Sequence, residues 1–131
     1  MAGEQRKVFI IDDDQFLLNM YSIKFSKSGF EVLTSTSAMD ALNKIRDGLA
    51  PDIVILDIVM PTMDGLELLR IIRKEHLLAD AAVIVLSNQG QQADINKAKE
   101  LGISGYIVKA STIPSEVLKQ VVDMYEKRKK A

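Results

Sequence analysis

The pattern that most restricts the fold of this chain is an alternation, repeated five times, of short apolar runs with segments of helical periodicity. The strand-like runs lie at residues 8–11, 31–34, 53–56, 82–86 and 106–108. A run such as 53–56, in which every residue is apolar, is typical of a strand buried on both faces of a parallel sheet. Strict alternation of strands and helices predicts an α/β domain with helices on both faces of a five-stranded, doubly wound parallel sheet.

The segments between the runs carry apolar residues three, four or seven positions apart, which is the spacing of an amphipathic helix. The residues expected to face the core are Leu18, Tyr21 and Phe25; Ala38, Ala41, Leu42 and Ile45; Leu68, Ile71 and Ile72; Ile95, Ala98 and Leu101; and Leu118, Val121, Val122 and Tyr125. Glycines at positions 29, 48 and 102 are expected to end helices. Ser37 is expected to cap the second helix, Asp64 and Gly65 to open the third, and Pro114 to open the last one.

The composition excludes several classes of protein. The 131 residues fit one domain, and the absence of cysteine rules out a disulfide framework, a thiolate zinc site and a cysteine nucleophile. With 17 basic and 18 acidic residues, the net charge of −1 gives no general attraction to nucleic acid or to an anionic membrane. Residues 81–86, the longest apolar run, cannot span a bilayer, and residues 1–7 do not form a secretory signal. We therefore expect a cytoplasmic protein without direct nucleic-acid or membrane contacts.

Polar residues stand at the carboxyl ends of four predicted strands. They are Asp12, Asp13 and Asp14 after the first strand, Asp57 after the third, Ser87 at the end of the fourth and Lys109 after the fifth. Doubly wound sheets commonly place these four strands side by side, and we predict the flavodoxin-like (βα)5 order 2-1-3-4-5. Because the carboxyl ends of parallel strands share one edge, the polar residues are expected to share one cleft. An ionised Asp57 beside so much apolar surface is costly unless it is paired.

The chemistry of this set points to phosphoryl transfer with a metal. Several carboxylates without a nearby histidine or cysteine form an oxygen-only donor set, which suits Mg²⁺ or Mn²⁺. A carboxylate can attack phosphorus and form an aspartyl phosphate. In that setting Lys109 can pair with one phosphoryl oxygen, and the Ser87 hydroxyl can donate a hydrogen bond to another.

The chain resembles the receiver domain of response regulators, which are the phosphorylated proteins of two-component signalling. The motifs that carry the resemblance are residues 10–14 (IIDDD), 57–65 (DIVMPTMDG), 86–87 (LS), 101–106 (LGISGY) and 108–109 (VK). A match at these separated positions, in order, is highly specific. We therefore expect a single receiver domain over residues 1–131, with a core at about 7–125 and a solvated basic tail at 127–131.

The resemblance implies a phosphoacceptor and a metal site. Asp57 would accept the phosphoryl group. Asp13 and Asp57 would bind Mg²⁺ directly, with the backbone carbonyl of Val59 as a third protein ligand. Asp12 would contribute through a water. Mn²⁺ is a possible substitute for Mg²⁺ in such a site.

The resemblance also implies a switch and its partners. Ser87 would contact the phosphoryl group, and Lys109 would hold the phosphoryl group or the free Asp57 carboxylate. Tyr106 would change rotamer when Ser87 moves. A sensor histidine kinase or a phosphotransfer protein would donate the phosphoryl group. The surface of the fourth helix, fifth strand and fifth helix would then bind an unknown protein target differently. The protein would act as a monomer or as a phosphorylation-dependent dimer, and as a signalling switch rather than an enzyme.

Three positions depart from the usual pattern of the family. Ala110 follows Lys109, where the family commonly has proline, often in a cis peptide. A cis bond before alanine would cost about 2.5–4 kcal/mol, so we expect a trans bond. Asn88 is larger than the residue that usually follows the serine, which narrows access to the phosphoryl group. Val59 has no side chain able to position a water, whereas Gln89 is an amide that could hold one.

Two alternatives stay open at this point. A metal-dependent phosphatase of the haloacid-dehalogenase type also uses a strand-end aspartate, but it needs an acid two residues later, where this chain has Val59. A receiver-shaped binding module that no longer uses phosphate is compatible with Ala110 and Asn88, although the intact set of acids argues against it. Hydrolysis of a phosphomonoester would support the first alternative, and failure to bind Mg²⁺ would support the second.

Overall fold

The computed structural model describes residues 5–88 and 91–130 and shows the predicted alternation of strands and helices. The elements are β1 (Lys7–Ile11), α1 (Gln15–Lys27), β2 (Glu31–Ser35), α2 (Ala38–Arg46), β3 (Ile53–Leu56), α3 (Gly65–Lys74), β4 (Ala82–Ser87), α4 (Gln92–Glu100), β5 (Gly105–Val108), a 3-10 turn (Lys109–Ser111) and α5 (Pro114–Lys130). The strands form one parallel sheet in the order β2-β1-β3-β4-β5. The predicted fold class and strand order are therefore confirmed, and each strand boundary lies within one residue of its predicted position.

The centre of the sheet is dry because helices cover both of its faces. β1 and β3 pair in parallel, with Val8 opposite Ile53 and Ile11 opposite Leu56. Every residue of β3 and of β4 is buried. Since these strands are held by hydrogen-bonded neighbours on both edges, the residues that follow them are fixed in position.

Alternate strand residues point to opposite faces, and each face has its own apolar core. On one face, Phe9 and Val54 pack with buried residues of α2 and α3. On the other face, Ile10 and Ile55 pack with buried residues of α1 and α5. A third, smaller cluster, which we call the α4 cluster, consists of Ile58, Leu66, Val85 and Ala98 and adjoins Tyr106.

The buried face of α5 differs in detail from the prediction. Val117 and Val121 are fully buried, whereas the predicted core residues Leu118, Val122 and Tyr125 are only partly buried. A spacing of three or four residues defines an apolar stripe but does not identify the residues at its centre. The prediction is therefore confirmed for Val121, misses Val117, and overstates the burial of the other three residues.

The prediction for α3 and α4 needs a similar correction. In α3, Leu69 is fully buried beside Leu68, whereas the predicted core residue Ile71 is half-buried. In α4, Ile95 is half-buried, and Ala98 is the one fully buried residue of that described helix. The periodicity of α4 correctly predicts a helix, but it overstates how much apolar surface the helix buries.

The helix ends follow the predicted signals. Asp14 caps α1 by accepting hydrogen bonds from the backbone N–H groups of Phe16 at 3.0 Å and Leu17 at 3.2 Å. Ser37 caps α2 by accepting from the N–H of Asp40 at 3.1 Å. The three glycines expected to end helices all have positive φ angles, a conformation that glycine adopts without strain.

The basic run at residues 127–130 forms the last turn of α5. The Arg128 guanidinium donates hydrogen bonds to the carbonyls of Ala79 at 2.9 Å and Asp80 at 3.2 Å, and so ties this helix to the loop between α3 and β4. This residue is therefore more than a solvated charge. Across the described ranges, every helix is too short or too polar to cross a bilayer.

Candidate functional site

The polar residues predicted to converge do line one pocket at the carboxyl edge of the sheet. Asp12 directly follows β1, Asp57 directly follows β3, Ser87 is the last residue of β4, and Lys109 begins the turn after β5. The pocket has a volume of about 370 Å³. Its lining consists of Asp12, Asp13, Asp14, Leu17, Asp57, Val59, Ser87, Asn88 and Lys109. The topology argument from the sequence is therefore correct for these strand ends.

Two acids of the pocket are held by the backbone of neighbouring strands. The Asp57 N–H donates to the carbonyl of Ile11 at 3.0 Å, and the Asp12 N–H donates to the carbonyl of Ser35 at 3.1 Å. Asp12 and Asp57 are only 3% and 7% exposed, whereas Asp13 is exposed. Backbone hydrogen bonds thus fix the positions of the two buried acids, Asp12 and Asp57, and the carboxylate of Asp13 lies on the solvent side of them.

Lys109 supplies the counter-charge that the buried acids require. Its Nζ lies 2.6 Å from Asp12 Oδ2 and 3.2 Å from Asp57 Oδ2, and its side chain is only 10% exposed. Burying a carboxylate without such a partner is strongly unfavourable. The shorter contact is with Asp12, whereas the sequence suggested Asp57 as the partner of this lysine in the free protein.

The pKa values within this group reflect the opposition between burial and pairing. Burial raises the pKa of Asp12, and the hydrogen bond and charge of Lys109 only partly offset that rise. For Lys109, burial alone would lower the pKa, but the charges and hydrogen bonds of Asp12 and Asp57 outweigh it, and the pKa is raised. Lys109 is therefore firmly protonated while both carboxylates face it.

The three acids also meet the requirements of a hard divalent cation. One carboxylate oxygen from each of Asp12, Asp13 and Asp57 can be chosen so that all three lie within 4.8 Å of one another. A donor set of oxygens alone is the one that Mg²⁺ prefers. Val59 also lines the pocket, and its N–H donates to Asp57 Oδ1 at 3.3 Å. The residues present therefore fit the metal expected from the sequence.

Gly65 allows α3 to start against the backbone of the phosphoacceptor candidate. A Cβ atom at this position would lie 2.1 Å from the carbonyl oxygen of Asp57, which is far inside van der Waals contact. The Gly65 N–H donates to the Ile58 carbonyl at 2.7 Å. Asp64 caps the helix by accepting from the N–H of Glu67 at 2.8 Å. The predicted role of Asp64 and Gly65 in opening the third helix is confirmed.

Ser87 and Tyr106 occupy different environments. Ser87 is fully buried and lines the pocket. Tyr106 pairs with Val85 across the β4–β5 ladder and packs against the α4 cluster rather than lining the pocket. Burial, followed by the charges of Asp94 and Asp57, raises the pKa of the Tyr106 hydroxyl. The structure thus places Tyr106 between the strand that carries Ser87 and helix α4.

Some features of the site were not predicted as such. Leu17 lines the pocket from the first turn of α1; its position three residues after Asp14 was the available signal. Tyr21 was predicted only as a core residue, yet it lies near enough to the ion pair that the charges of Lys109 and Asp12 affect its pKa, which burial raises.

The Lys109–Ala110 bond is trans, as expected, because residues 5–88 and 91–130 contain no cis peptide. Gln89 lies outside the described residues.

Comparison with known sequences identifies related proteins. Residues 8–123 match the family described as the response regulator receiver domain. The chain is 37% identical over 105 residues to the chemotaxis protein CheY of Thermotoga maritima, an alignment that covers 79% of this chain and 85% of that protein. It is 36% identical over 105 residues to the probable transcriptional regulator ycf27 of Guillardia theta, with 80% of this chain covered. The chain spans only 40% of the length of that regulator.

Solved structures agree with this fold. The chemotaxis protein CheY4 of Vibrio cholerae superposes with a TM-score of 0.83 at 26% identity, and the match covers 92% of this chain and 99% of that one. A CheY-like receiver domain protein of Methanospirillum hungatei superposes with a TM-score of 0.87 over 97% of this chain and 98% of that one. At 23% identity, this second likeness supports the fold alone.

Proposed function

Because the chain belongs to the response regulator receiver domain family, we propose that phosphorylation of Asp57 controls this signalling switch. The observation that carries the proposal is the juxtaposition of Asp57 with two further acids and with Lys109 in one pocket. Asp57 is a buried acid that directly follows the central strand β3. Lys109 contacts one of its two carboxylate oxygens, Oδ2. The same pocket is open enough to admit a phosphoryl group.

In the proposed reaction, a carboxylate oxygen of Asp57 attacks the phosphorus of a phosphohistidine or of a small acyl phosphate. The new bond joins Asp57 to phosphorus, and the bond between phosphorus and the donor breaks, with its electron pair leaving on the donor. The Val59 N–H, 3.3 Å from Asp57 Oδ1, helps to orient the carboxylate for this attack. The backbone bond from Asp57 to Ile11 keeps the nucleophile in place.

The acids of the pocket would hold the metal that accompanies this reaction. Asp13 and Asp57 would bind Mg²⁺ directly, together with the Val59 carbonyl, and Asp12 would contribute through a water. When bound, the ion would offset the negative charge of the phosphoryl oxygens. Mn²⁺ satisfies the same oxygen donors.

Phosphorylation replaces the Asp57 carboxylate, which Lys109 contacts, by a larger and more strongly charged group. Lys109 then pairs with a phosphoryl oxygen, and the Ser87 hydroxyl donates to another. Movement of Ser87 at the end of β4 changes the packing of Tyr106 on β5. Because Tyr106 adjoins the α4 cluster, the surface formed by α4, β5 and α5 changes with it.

The phosphoryl donor in this proposal is a sensor histidine kinase or a phosphotransfer protein, and the altered surface binds a protein target. Related proteins described as a chemotaxis protein and as transcriptional regulators indicate how varied such targets are. The even charge balance gives no reason to expect that the chain binds nucleic acid directly. Monomeric and phosphorylation-dependent dimeric forms are both compatible with the proposal.

Turnover of external phosphate esters is a weaker alternative. The phosphatase mechanism needs an acid two residues after the nucleophile, and this position is Val59, a residue that is 52% exposed and lines the pocket. Valine cannot protonate a leaving group or activate a water. We therefore expect no measurable hydrolysis of a generic phosphomonoester.

Incubation with acetyl phosphate, read by intact mass, tests the proposal. The wild-type protein should gain the mass of one phosphoryl group when Mg²⁺ or Mn²⁺ is present, and should gain none after the metal is chelated. Asp57→Asn should gain none under any condition. Asp47→Asn, an exposed position at the end of α2, serves as the matched control and should behave as wild type. An Asp57→Asn protein that still gained the mass would contradict the assignment.

A further inference from the structure

Arg73, in the last turn of α3, reaches across to the end of α4. Its Nε donates to the carbonyl of Leu101 at 2.8 Å, and one terminal nitrogen donates to the carbonyl of Gly102 at 3.1 Å. The other terminal nitrogen donates to the carbonyl of Leu78 at 3.3 Å. One side chain therefore joins the end of α4 to α3 and to the loop between α3 and β4.

The carbonyl of Leu101 is one of the groups that the end of α4 leaves without a partner inside the helix. Leu101 caps α4 at its carboxyl end, and Gly102 follows with a φ of +75°. A guanidinium satisfies such carbonyls with several donors at once and suits the negative end of the helix dipole. Burial, followed by the charge of Arg128, lowers the pKa of Arg73. In the described part of the chain, Arg73 contacts carbonyls rather than a carboxylate.

The loop between α3 and β4, to which Arg73 donates a hydrogen bond, also accepts hydrogen bonds from a second helix. Arg128 of α5 donates to the carbonyls of Ala79 and Asp80, the next two residues after Leu78. The two arginines thus bind three successive carbonyls of one loop from two different helices. This arrangement makes the amino edge of the sheet, where α3, α4 and α5 end, a firm support for Arg73.

Among the described residues, the start of α4 shows no comparable attachment. Gln91 stands at the capping position, and within the described residues its side chain makes no capping hydrogen bond. Ile95 is half-buried, and Ala98, fully buried in the α4 cluster, lies in the second half of the helix. In the described part of the chain, the attachments of α4 are therefore concentrated at its carboxyl-terminal end, away from the phosphorylation pocket.

We infer that Arg73 is a positioning residue that fixes the carboxyl-terminal end of α4, so that phosphorylation displaces only the amino-terminal part of the helix. This inference rests on the proposed function, because it concerns how the switch at Asp57 reaches its output surface. Arg73 does not line the phosphoryl pocket, and its described hydrogen bonds go to the carbonyls of Leu78, Leu101 and Gly102. It acts by defining the point about which α4 moves.

Hydrogen–deuterium exchange on the full chain tests the inference, with four proteins compared: wild type, Arg73→Ala, Arg73→Lys and Arg70→Ala. Arg70 is the matched control, because it lies on the same helix and lines the groove between α3 and α4 without reaching those carbonyls. Before phosphorylation, Arg73→Ala should exchange about tenfold faster than wild type at residues 98–102, as expected from the loss of one or two net hydrogen bonds. Arg73→Lys should fall between the two, and Arg70→Ala should match wild type.

The second arm adds acetyl phosphate and Mg²⁺. In phosphorylated wild type, exchange should change at residues 92–96 and stay constant at 98–102, whereas in Arg73→Ala the change should extend through 98–102. A change of equal size in both halves of wild-type α4 would overturn the inference, as would unaltered exchange at 98–102 in Arg73→Ala. If Arg73→Ala does not fold, the comparison of Arg73→Lys with Arg70→Ala decides in the same way.

Intact mass keeps the two hypotheses apart. If no protein gains a phosphoryl group, the proposed function fails, while the first arm still tests whether Arg73 holds the end of α4. If the mass is gained and the exchange pattern in α4 is uniform, the proposed function stands and the role of Arg73 is refuted.

Discussion

Helices α3 and α4 both contribute to the α4 cluster, yet they are attached to the domain in very different ways. In α3, Gly65, Leu66, Leu68, Leu69 and Ile72 are buried, and Asp64 caps the first turn. Among the described residues of α4, Ala98 alone is fully buried, and a side-chain cap is missing. Because stability is not uniform across a fold, the helix with less buried surface should open and move at a lower free-energy cost.

This difference has a functional meaning. The start of α3 is built into the pocket, since a side chain at Gly65 would collide with the Asp57 carbonyl. Displacing α3 would therefore distort the site itself. Among the described residues, α4 packs on the apolar cluster that Tyr106 adjoins. Under the proposed function, α3 would maintain the site and α4 would report its state.

The largest expected effect comes from removing a buried leucine of α3. Leu69→Ala should lower the free energy of unfolding by about 2–5 kcal/mol, because it leaves a cavity in a closely packed core. Ile95→Ala on α4 should cost about 1 kcal/mol, because that side chain is only half-buried. Urea unfolding of both variants makes the comparison. Equal losses would mean that the two helices are equally integrated into the fold.

The cap of α3 provides the next test. Asp64→Ala should cost about 1 kcal/mol, because the N–H of Glu67 loses its acceptor. Asp64→Ser, which retains a capping oxygen, should recover most of that loss. The free energies of unfolding of the three proteins decide the matter, and an unchanged value for Asp64→Ala would show that the cap contributes nothing.

The missing cap of α4 can be supplied. Gln91 has an extended backbone, with φ −74° and ψ 144°, which is compatible with a capping residue. Gln91→Ser should stabilise the first turn of α4 by about 0.5 kcal/mol, while Gln91→Ala should not. We expect Gln91→Ser to slow amide exchange relative to wild type in that turn alone. If serine and alanine give the same exchange rates, the start of α4 is limited by something other than capping.

The smallest expected effect concerns acid. Glu75, at the end of α3, has its pKa lowered from the usual 4.5, first by the hydrogen bond from Arg46 of α2. The unfolded chain therefore binds a proton at Glu75 before the folded protein does. The stabilisation is complete above pH 4.5 and disappears as the pH falls through the lower, folded-state value. Wild type should exceed Glu75→Gln in stability at neutral pH, and the difference should vanish in strong acid. A difference that grew as the pH fell would have the wrong sign.

Most of the fold was predictable because the sequence signals are local and periodic. The four-residue run at 53–56 and the capping residues Ser37 and Asp64 identify elements without any knowledge of the tertiary structure. The degree of burial in α4 was not predictable in this way. Ile95 has helical spacing, but only the tertiary structure shows that the helix rests on a small cluster.

Some features of the site were likewise predictable from the sequence, and others were not. Parallel topology was sufficient to bring Asp12, Asp57 and Lys109 together, because it sends every strand end to one edge. Topology does not specify which acid a lysine contacts more closely, and here that acid is Asp12. Arg73 was not predictable as an anchor, because a charged residue near a helix end is usually solvated. Its role depends on the positions of carbonyls in a loop and in a different helix.

The most direct test of the central claim is a comparison of backbone amide chemical shifts before and after phosphorylation. The spectra are recorded with Mg²⁺ and acetyl phosphate for wild type and Asp57→Asn, and intact mass confirms the phosphoryl group. In wild type, amides of residues 92–96 and of Tyr106 should shift, while those of Leu68 and Leu69 in α3 should stay in place. Asp57→Asn should show no such change. Phosphorylated wild type in which α3 shifts as much as α4, or in which neither helix responds, would contradict the division between the helix that maintains the site and the helix that reports it.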